Sequence, residues 1–470
     1  MFNMFRMKNS KPADNRIFSV GDLLEATGGE LVKGDPEGRF SGVSIDSRTV
    51  KDNDIFIAIN GERFDGHNFA AEAIEKGAAC VIVAKDKAVT LGSRVPCNLI
   101  SVKDTTESLA SLAYYHRKRF DIPVICISGS NGKTTTKEIL TGLLSAKYNV
   151  LKNEGNQNNA IGLSLNLLNL KATHQIAVLE LGTNHFGEIK ELTRIASPNV
   201  AIITNIGPAH LEFFQDAKGV LKEKWQLIEE LSPPCIAILN ADDTLLREKM
   251  FCQPHDADIN IFTFGIKENA DFRASSIRCL GRKTHFNIKN KPIVLNTISR
   301  VNVYNALAAY AASRIFSIDA FDIIEKFKNM KFPKARFEVK KINGINVIDD
   351  AYNANPASFS WALESLKNIR SRGRKIVVMG DMLELGREKE TLHRDIGALL
   401  SASKVDMIVA VGSLSHIASE AAVKRGFDIK QVYKCLSNKE AKKIISDIAR
   451  ANDTVLLKGS RAMKREDIFY

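Results

Sequence analysis

The sequence lacks the features of membrane-bound and secreted proteins. No stretch approaches the roughly 20 apolar residues that a membrane-spanning helix needs, and residues 1–16 have no apolar core of the kind that a signal peptide carries. The seven cysteines are scattered and never form a C-x-x-C pair, which argues against a disulfide framework and a zinc site. We therefore expect a cytoplasmic protein whose residues 1–16 form a disordered leader.

Two classes of ligand lack support in the sequence. No G-x-G-x-x-G fingerprint follows any apolar run, so a dinucleotide site is not indicated. The formal net charge is +12, yet the basic residues are spread along the chain rather than lining one helix between aromatic residues. This distribution does not favour nucleic acid as a partner, whereas a small polyanionic substrate suits a basic protein.

What the sequence does contain is a repeated α/β pattern. A chain of 470 residues has room for about three domains. Apolar strand-like runs alternate with helical patterns, which predicts α/β domains with mainly parallel sheets. We predict a small N-terminal α/β domain at 17–108, a central domain with a mainly parallel sheet at 109–331, and a Rossmann-like domain at 332–470.

The most informative segment is "VICISGSNGKTTTKEIL" at 124–140. An apolar run leads into two glycines, Gly129 and Gly132, and then into a helix-compatible stretch. Glycines allow consecutive N–H groups to turn towards a ligand, and a helix N-terminus favours anions, so the pattern predicts a polyphosphate-binding loop. In such a loop Lys133 would reach the outer phosphates, and the Thr134 hydroxyl would help to hold magnesium.

Other polar residues follow the later apolar runs. Glu180 ends the strand-like run "IAVLE", a position from which a carboxylate can hold magnesium near the loop. His210 follows a glycine-proline turn, and Lys224 lies in an amphipathic helical segment. Each has an ordinary structural interpretation when taken alone. Many strands end in an acidic residue, a lone histidine is more often structural than a ligand, and a lysine on a helix is usually solvated.

The order of the motifs along the chain is more specific than any one of them. The chain contains "GSNGKTTT", "NQNNAIG", "LELGTNHFGEI", "NIGPAHLEFF", "KEKW", "LNADD", "NVYNALAA", "RFE", "IDDAYNANP", "GDMLELG" and "LLKGSR" in that order. This set resembles the Mur ligases of bacterial cell-wall synthesis over nearly the whole chain. The segments "GERFDGH", "YNANP" and "GDMLELG" favour the member that adds D-alanyl-D-alanine to UDP-N-acetylmuramoyl-tripeptide.

The resemblance implies a fold and an activity. It implies an N-terminal domain that binds the UDP end of the substrate, a central P-loop-type ATPase domain, and a C-terminal Rossmann-like domain that closes over the nucleotide. The expected cofactors are ATP and Mg²⁺, and the expected partners are UDP-N-acetylmuramoyl-tripeptide and D-alanyl-D-alanine. Nucleic acid and a membrane span are not expected, and we expect a monomer.

The resemblance also implies roles for individual residues. The expected catalytic residues are Lys133, Glu180, His210 and Lys224, and the expected metal ligands are Thr134, Glu180, His210 and Lys224. The expected ATP-binding residues are Gly129, Ser130, Asn131, Gly132, Lys133, Thr134, Thr135, Asn302, Asn305, Arg336 and Asp350. The expected substrate-binding residues are Ser47 and Arg48 at the uridine diphosphate, Asn158 and Asn159 at the sugar-peptide, and Gly61, Asp65, His67, Tyr352, Asn353 and Asn355.

In this family the lysine at the position of Lys224 is carbamylated. Carbamylation replaces an ammonium group, which would repel magnesium, with a carboxylate-like group that can hold it. By the same resemblance Asn302 and Asn305 would face adenine, while Arg336 and Asp350 would complete the nucleotide site from across the domain boundary.

Four positions depart from the expected patterns. The phosphate loop is shorter than the common eight-residue form, because Ile127 stands where that form has a glycine. Val301 occupies a position that is commonly histidine in the family, Ala335 one that is usually glycine, and Ser164 a frequent proline position. The departures weaken the expected adenine site slightly and leave the magnesium residues intact.

The implied reaction is amide formation through an acyl phosphate. Both the attacking carboxylate and the triphosphate are anions, so Lys133, magnesium and the loop N–H groups would offset their repulsion. One alternative is a GTPase or nucleic-acid motor, but Ala241 occupies the lysine position of the guanine motif in "NADD". Another is a sister Mur ligase or a folylpolyglutamate synthase-like ligase with a different acceptor. A catalytically silent binding protein is disfavoured because Lys133, Glu180 and His210 are all present.

Overall fold

The computed structural model describes residues 18–61, 64–92, 95–252 and 259–469. The expected leader at residues 1–16 and the first residue of the predicted N-terminal domain lie outside these ranges. Three main sheets follow one another along the chain, and helices flank each of them, so the three-domain α/β class is confirmed. Within the described ranges there is no helix whose length and hydropathy would suit a membrane span.

The N-terminal part is built on a five-stranded sheet. Its elements are β1 (Phe18–Ser19), α1 (Val20–Thr27), β2 (Glu30–Lys33), β3 (Arg39–Phe40), β4 (Gly42–Ser44), β5 (Asp54–Ile57), a 3₁₀ helix (Gly66–Phe69), α2 (Ala70–Glu75), β6 (Ala78–Ala84), α3 (Lys85–Gly92), β7 (Asn98–Val102) and α4 (Thr105–Lys118). The strand order is β2-β7-β6-β5-β4, and only β2 is antiparallel. Successive side chains from Ile55 to Ile57 of β5 and from Cys80 to Val83 of β6 alternate between two buried clusters because strand residues point to opposite faces.

The central part is built on a nine-stranded sheet. Its elements are β8 (Val124–Ser128), α5 (Lys133–Leu144), β9 (Val150–Lys152), α6 (Ala160–Leu167), β10 (Ile176–Glu180), α7 (Glu188–Ala196), β11 (Val200–Ile203), α8 (Leu211–Phe214), α9 (Ala217–Glu229), β12 (Cys235–Asn240), α10 (Thr244–Cys252), β13 (Ile259–Gly265), β14 (Phe272–Leu280), β15 (Lys283–Ile288), β16 (Lys291–Leu295), α11 (Val301–Ile315) and α12 (Ala320–Lys328). The strand order is β16-β15-β14-β13-β12-β11-β8-β10-β9. Strands β8 to β14 pair in parallel, and β15 and β16 extend the sheet as an antiparallel meander.

The C-terminal part is built on a six-stranded sheet. Its elements are β17 (Glu338–Ile342), β18 (Ile345–Asp350), α13 (Pro356–Asn368), β19 (Lys375–Gly380), a 3₁₀ helix (Gly386–Glu388), α14 (Lys389–Ala402), β20 (Met407–Val411), α15 (Ser413–Lys424), a 3₁₀ helix (Ile429–Gln431), β21 (Val432–Cys435), α16 (Asn438–Ile448), β22 (Thr454–Lys458) and two 3₁₀ helices (Arg461–Met463 and Arg465–Ile468). The strand order is β17-β18-β22-β19-β20-β21, and only the edge strand β17 is antiparallel. This is the parallel, helix-covered arrangement that the buried strand runs predict.

Each sheet falls within one of the three predicted domains, but the boundaries at 108/109 and 331/332 stay predictions. Helix α4 runs across the first boundary and packs against α1 on one side and α6 on the other. The helix therefore joins the N-terminal and central parts as a shared element.

Register brings the chemically important strand ends together. In the central sheet Glu180 at the end of β10 lies opposite Ile127 of β8, one residue before that strand ends at Ser128. In the C-terminal sheet Asp350 at the end of β18 lies opposite Lys458 at the end of β22. Ligands of parallel α/β sheets bind beyond the carboxyl ends of the strands, so these two edges are where a site is expected.

Candidate active site

The loop after β8 has the backbone geometry of a phosphate-binding turn. Gly129 and Gly132 have φ angles of +143° and +86°, which side chains with a Cβ atom rarely adopt. A Cβ atom on Gly129 would collide with Oγ1 of Thr204, and one on Gly132 with Oδ1 of Asn305. Helix α5 begins at Lys133 directly after a glycine, so its first N–H groups are not capped by a preceding side chain and can bind an anion.

Lys133 folds back over this loop. Its Nζ atom donates a hydrogen bond to the carbonyl oxygen of Gly129 at 2.8 Å. Removal from bulk water lowers the pKa of Lys133, an effect that Glu180 opposes and Arg336 reinforces. None of the described residues forms an ion pair with this amine, and an anion bound in the loop would stabilise its charged form.

Glu180 presents one carboxylate oxygen that has no partner. Its side chain is buried, and Oε1 accepts a hydrogen bond from Nδ2 of Asn158 at 2.8 Å. Its backbone N–H donates to Oδ1 of Asn153 at 2.9 Å, which fixes the end of β10. Oε2 is buried and has no hydrogen-bond partner among the described residues. An ionised oxygen in this position is costly unless a cation binds it.

Lys224 is not the solvated surface lysine that its helical position alone would indicate. It lies on α9 and is only 1% exposed. Across the described part of the chain we find no hydrogen bond or ion pair of its Nζ atom. Burial lowers the pKa of Lys224 well below its ordinary value, and the charge of Lys133 adds to this, while Glu223, Glu180 and Glu188 oppose it. A neutral buried amine is the form that can react with carbon dioxide to give a carbamate.

A cavity of about 670 Å³ lies between the central and C-terminal parts. It brings together most of the expected nucleotide and catalytic residues, namely Ser130, Asn131, Gly132, Lys133, Thr134, Thr135, Glu180, His210, Asn302, Asn305, Arg336 and Asp350. Its lining also includes five expected substrate residues, Asn158, Asn159, Tyr352, Asn353 and Asn355. Residues separated by more than 200 positions in the sequence therefore share one site.

Side chains of the C-terminal part contact the phosphate-loop region directly. The Arg336 guanidinium donates to Oγ1 of Thr134 at 2.9 Å and also lies 4.0 Å from the ring centroid of Tyr352. Nδ1 of His210 lies 2.5 Å from Oε2 of Glu384, which follows β19. This hydrogen bond is also the main reason why the pKa of Glu384 is lowered. The two sheets thus present their strand ends to a common cavity.

Comparison with known proteins identifies this architecture. Three family models match the chain in succession: "Mur ligase family, catalytic domain" over residues 39–117, "Mur ligase middle domain" over 127–313, and "Mur ligase, glutamate ligase domain" over 335–461. A relative from Bacillus subtilis (strain 168), named UDP-N-acetylmuramoyl-tripeptide--D-alanyl-D-alanine ligase, is 35% identical over 432 residues, which is 91% of this chain and 92% of the relative. The chain belongs to the Mur ligase family.

Solved Mur ligase structures have the same architecture. The structure of MurF from Acinetobacter baumannii is 31% identical, covers 96% of this chain and 98% of its own, and superposes with a TM-score of 0.87. The structure of MurF from Thermotoga maritima, solved in complex with ADP, is 30% identical, covers 91% of this chain and 96% of its own, and gives a TM-score of 0.78. These matches agree with the resemblance that the ordered motifs indicate.

The expected uridine diphosphate residues of this Mur ligase lie apart from the cavity. Arg48 makes a two-point ion pair with Asp46, at 2.9 Å and 2.7 Å, and its side chain is 80% exposed. Ser47 donates to Glu72 at 2.9 Å. Like Gly61, they do not line the cavity. A substrate that reaches both places must therefore extend from the N-terminal sheet to the phosphate loop.

His67 is turned inward. Its Nδ1 atom lies 2.5 Å from Oδ1 of Asp65, and its Nε2 atom accepts a hydrogen bond from the N–H of Ala84 at 3.0 Å. Both ring nitrogens are therefore used inside the protein. This geometry gives His67 a role in holding the loop that carries Asp65, and any contact between His67 and substrate stays a prediction.

Asn302 and Asn305 support the phosphate loop. Nδ2 of Asn305 donates to Oδ1 of Asn302 at 3.0 Å, and Nδ2 of Asn302 donates to Oγ1 of Thr297 at 3.0 Å. Oδ1 of Asn305 accepts from Oγ1 of Thr136 at 3.4 Å and lies against Gly132. Both asparagines line the cavity, while their amide groups are engaged within the protein. Their expected contact with adenine stays a prediction.

Several cavity residues have no assigned role in the sequence-based expectations. They include Asn156, Thr183, Asn184, His185, Glu188 and Lys458. Nζ of Lys458 is buried and donates to Oδ2 of Asp350 at 2.6 Å, and it opposes the rise in the pKa of Asp350 that burial causes. The sequence places Lys458 at the end of the apolar run "TVLL", which indicates a strand end. It does not reveal that this strand, β22, lies beside β18 and so brings Lys458 to Asp350.

Proposed function

We propose that this chain is the ATP-dependent ligase that joins D-alanyl-D-alanine to UDP-N-acetylmuramoyl-tripeptide in peptidoglycan precursor synthesis. The observation that carries the proposal is one cavity that brings together the phosphate loop, the buried Glu180 carboxylate and side chains of the C-terminal part. One oxygen of that carboxylate has no hydrogen-bond partner among the described residues. The Bacillus subtilis relative acts on these substrates according to its name, and the match covers 91% of this chain.

The proposed reaction has two steps. A terminal carboxylate oxygen of the tripeptide attacks the γ-phosphorus of ATP, and the bond from that phosphorus to the β-γ bridging oxygen breaks, which gives an acyl phosphate and ADP. The amine of D-alanyl-D-alanine then attacks the acyl carbon, and inorganic phosphate leaves with the original carboxylate oxygen. The amine proton is lost, and an amide remains. Lys133 and the N–H groups of the loop stabilise the charge on the transferring phosphoryl group.

The residues present fit a magnesium ion. Residues 18–61, 64–92, 95–252 and 259–469 contain no cluster of three or more His, Cys, Asp and Glu side chains suited to a metal. Mg²⁺ at phosphoryl-transfer sites is usually held by one or two carboxylates together with substrate phosphates, so a smaller protein set suffices. Glu180, with its unpartnered oxygen, His210, Thr134 and carbamylated Lys224 would hold it. When bound, Mg²⁺ would neutralise charge on the phosphates.

We propose that the remaining expected residues bind the substrates. Ser47, Arg48, Gly61 and the Asp65–His67 pair would bind the uridine diphosphate end, and Asn158 and Asn159 the sugar-peptide. Tyr352, Asn353 and Asn355 would contact substrate from the C-terminal side of the cavity. We further propose that the enzyme acts as a cytoplasmic monomer on these small molecules, without nucleic acid.

The test is a phosphate-release assay with ATP, Mg²⁺ and the UDP-tripeptide. We expect sustained release only when D-alanyl-D-alanine is added, together with a product heavier by the dipeptide in mass spectrometry. A panel with single amino acids and glutamate as acceptors separates the proposed reaction from those of sister Mur ligases and folylpolyglutamate synthase-like ligases. Faster turnover with one of those acceptors than with D-alanyl-D-alanine would overturn the assignment.

A further inference from the structure

Glu384 approaches the central part from the turn that follows β19. Its Oε2 atom lies 2.5 Å from Nδ1 of His210, and its carbonyl oxygen accepts a hydrogen bond from the N–H of Glu212 at 3.2 Å. The two contacts join residues that are 174 and 172 positions apart and belong to the central and C-terminal parts. The backbone and the side chain of Glu384 thus both contact the start of the short helix α8.

Both members of the pair adopt constrained backbone conformations. Glu384 has a φ angle of +62° and His210 one of +53°, in the left-handed region that residues other than glycine rarely occupy. Such conformations persist where the surrounding structure holds them, and they are often found at functional sites. The ring of His210 is about one quarter exposed and lines the cavity that contains Glu180 and the phosphate loop.

The pair determines which ring nitrogen of His210 carries the proton. An ionised carboxylate can only accept hydrogen bonds, so Nδ1 of His210 must be the protonated nitrogen. Nε2 then keeps its lone pair, which is the form that binds a metal ion. Histidines that bind metals commonly donate their other ring N–H to a carboxylate in this way, and the carboxylate fixes both the tautomer and the orientation of the ring.

We propose that Glu384 is a positioning residue for His210, and that the C-terminal domain thereby completes the magnesium site of the central domain. The inference rests on the proposed function, since it takes His210 as a magnesium ligand. It assigns a role to the "GDMLELG" segment, which the proposed reaction leaves without one. Metal binding and contact between the two domains are then coupled, because undocking the C-terminal domain removes the carboxylate that orients His210.

The first test measures metal affinity directly in the full-length enzyme. Mn²⁺ replaces Mg²⁺ in the presence of ADP, and its binding is followed by electron paramagnetic resonance. We expect Glu384→Ala to bind Mn²⁺ about 10-fold to 100-fold more weakly than the unmodified enzyme. Glu384→Gln keeps an oxygen that can accept a hydrogen bond from Nδ1 of His210, so it should lose less Mn²⁺ affinity than Glu384→Ala. Glu388→Gln, an exposed change four residues further along the chain, should leave the affinity unchanged.

The second test observes the tautomer without metal or turnover. In ¹⁵N-histidine-labelled enzyme, the His210 signals should report a proton on Nδ1, with the signals assigned by their loss in His210→Gln. In Glu384→Ala the tautomer protonated on Nε2 should become populated, and Glu384→Gln should restore the original pattern at least in part. If Glu384 only held the two domains together, Glu384→Ala would leave the tautomer of His210 unchanged.

Comparison with His210→Ala separates this inference from the proposed function. If His210→Ala leaves Mn²⁺ affinity unchanged, His210 is not a metal ligand. The metal-binding role of His210 in the proposed function then fails together with the positioning role of Glu384. If His210→Ala weakens binding but Glu384→Ala and Glu384→Gln retain both the unmodified affinity and the Nδ1–H tautomer, the role of Glu384 is refuted and the proposed function stands.

Discussion

Asn131 of the phosphate loop and Asn355 of the C-terminal domain form a reciprocal pair of amide hydrogen bonds. Nδ2 of Asn355 donates to Oδ1 of Asn131 at 2.9 Å, and Nδ2 of Asn131 donates back to Oδ1 of Asn355 at 3.3 Å. The same Oδ1 atom of Asn355 caps helix α13 by accepting from the N–H of Ser358 at 2.9 Å. One side chain therefore starts a helix and holds the loop that is expected to bind phosphate.

The two roles of Asn355 can be separated by a serine. Asn355→Ser replaces the amide with a hydroxyl of comparable capping strength that is too short to reach Asn131, so the capping contribution to stability should change by less than about 0.5 kcal/mol. Loss of two hydrogen bonds should lower kcat/KM for ATP by about 5-fold to 30-fold. Steady-state kinetics and thermal unfolding measure the two effects. Asn368→Ser, at the exposed end of the same helix, is the control. Unchanged kinetics in Asn355→Ser would show that the pair is dispensable.

Lys133→Ala should abolish ligation without unfolding the protein. Its amine lies over the phosphate loop, and loss of such a charge should lower the rate by about three or more orders of magnitude. Circular dichroism and thermal unfolding check the fold, and phosphate release checks the rate. Lys147→Ala, an exposed change just beyond the same helix, should leave turnover intact. Near-normal turnover of Lys133→Ala would remove the loop from the reaction.

Arg48→Ala should weaken binding of the UDP-linked substrate alone. Arg48 does not line the cavity and has an exposed guanidinium, so its loss should raise the KM for the UDP-tripeptide while kcat and the KM for ATP stay nearly unchanged. That pattern is the signature of lost uniform binding. Initial-rate kinetics with each substrate varied in turn provide the measurement, and Arg39→Ala on the same domain is the control. An unaltered KM for the UDP-tripeptide would contradict the assignment of this domain.

The phosphate loop could be predicted because its determinants are local. The apolar run before Gly129 forms a buried strand, the two glycines adopt the positive φ angles that their residue type permits, and the helix starts at Lys133. Glu180 could be placed at the end of a strand for the same reason. Strand ends in a parallel sheet meet at one edge, so proximity follows from local patterns once the strands are recognised.

The contacts between distant elements could not be predicted in the same way. Helical spacing places Lys224 on the same face of α9 as Val220 and Ile228, but it does not show how deeply that face is buried. The depth of burial depends on how α9 packs against β8, which is far away in sequence. The inward turn of His67 depends on its contact with Ala84, and the contact of His210 with Glu384 depends on how two domains dock. These arrangements are set by tertiary packing rather than by residue type.

The burial of Lys224 gives the carbamylation hypothesis a sharper test than residue type alone. A buried amine is destabilising when, as for Lys224 among the described residues, no group pairs with it. Replacing it by methionine, which is apolar and of similar length, should therefore leave stability unchanged or raise it. If Lys224 only filled space, this variant would also remain active. If its carbamate holds magnesium, the variant should fold normally and lose most of its activity.

Lys224→Met should therefore separate folding from catalysis, and the exposed Lys222→Met provides the matched control on the same helix. Carbamate formation consumes carbon dioxide, so activity of the unmodified enzyme should fall after prolonged removal of carbon dioxide and return with bicarbonate. The Lys222→Met control should respond in the same way as the unmodified enzyme. In Lys224→Ala, a small carboxylic acid should enter the vacated space and restore part of the turnover, because it supplies the missing anionic oxygen. Full activity of Lys224→Met at saturating Mg²⁺ and ATP would show that Lys224 does not hold magnesium through a carbamate.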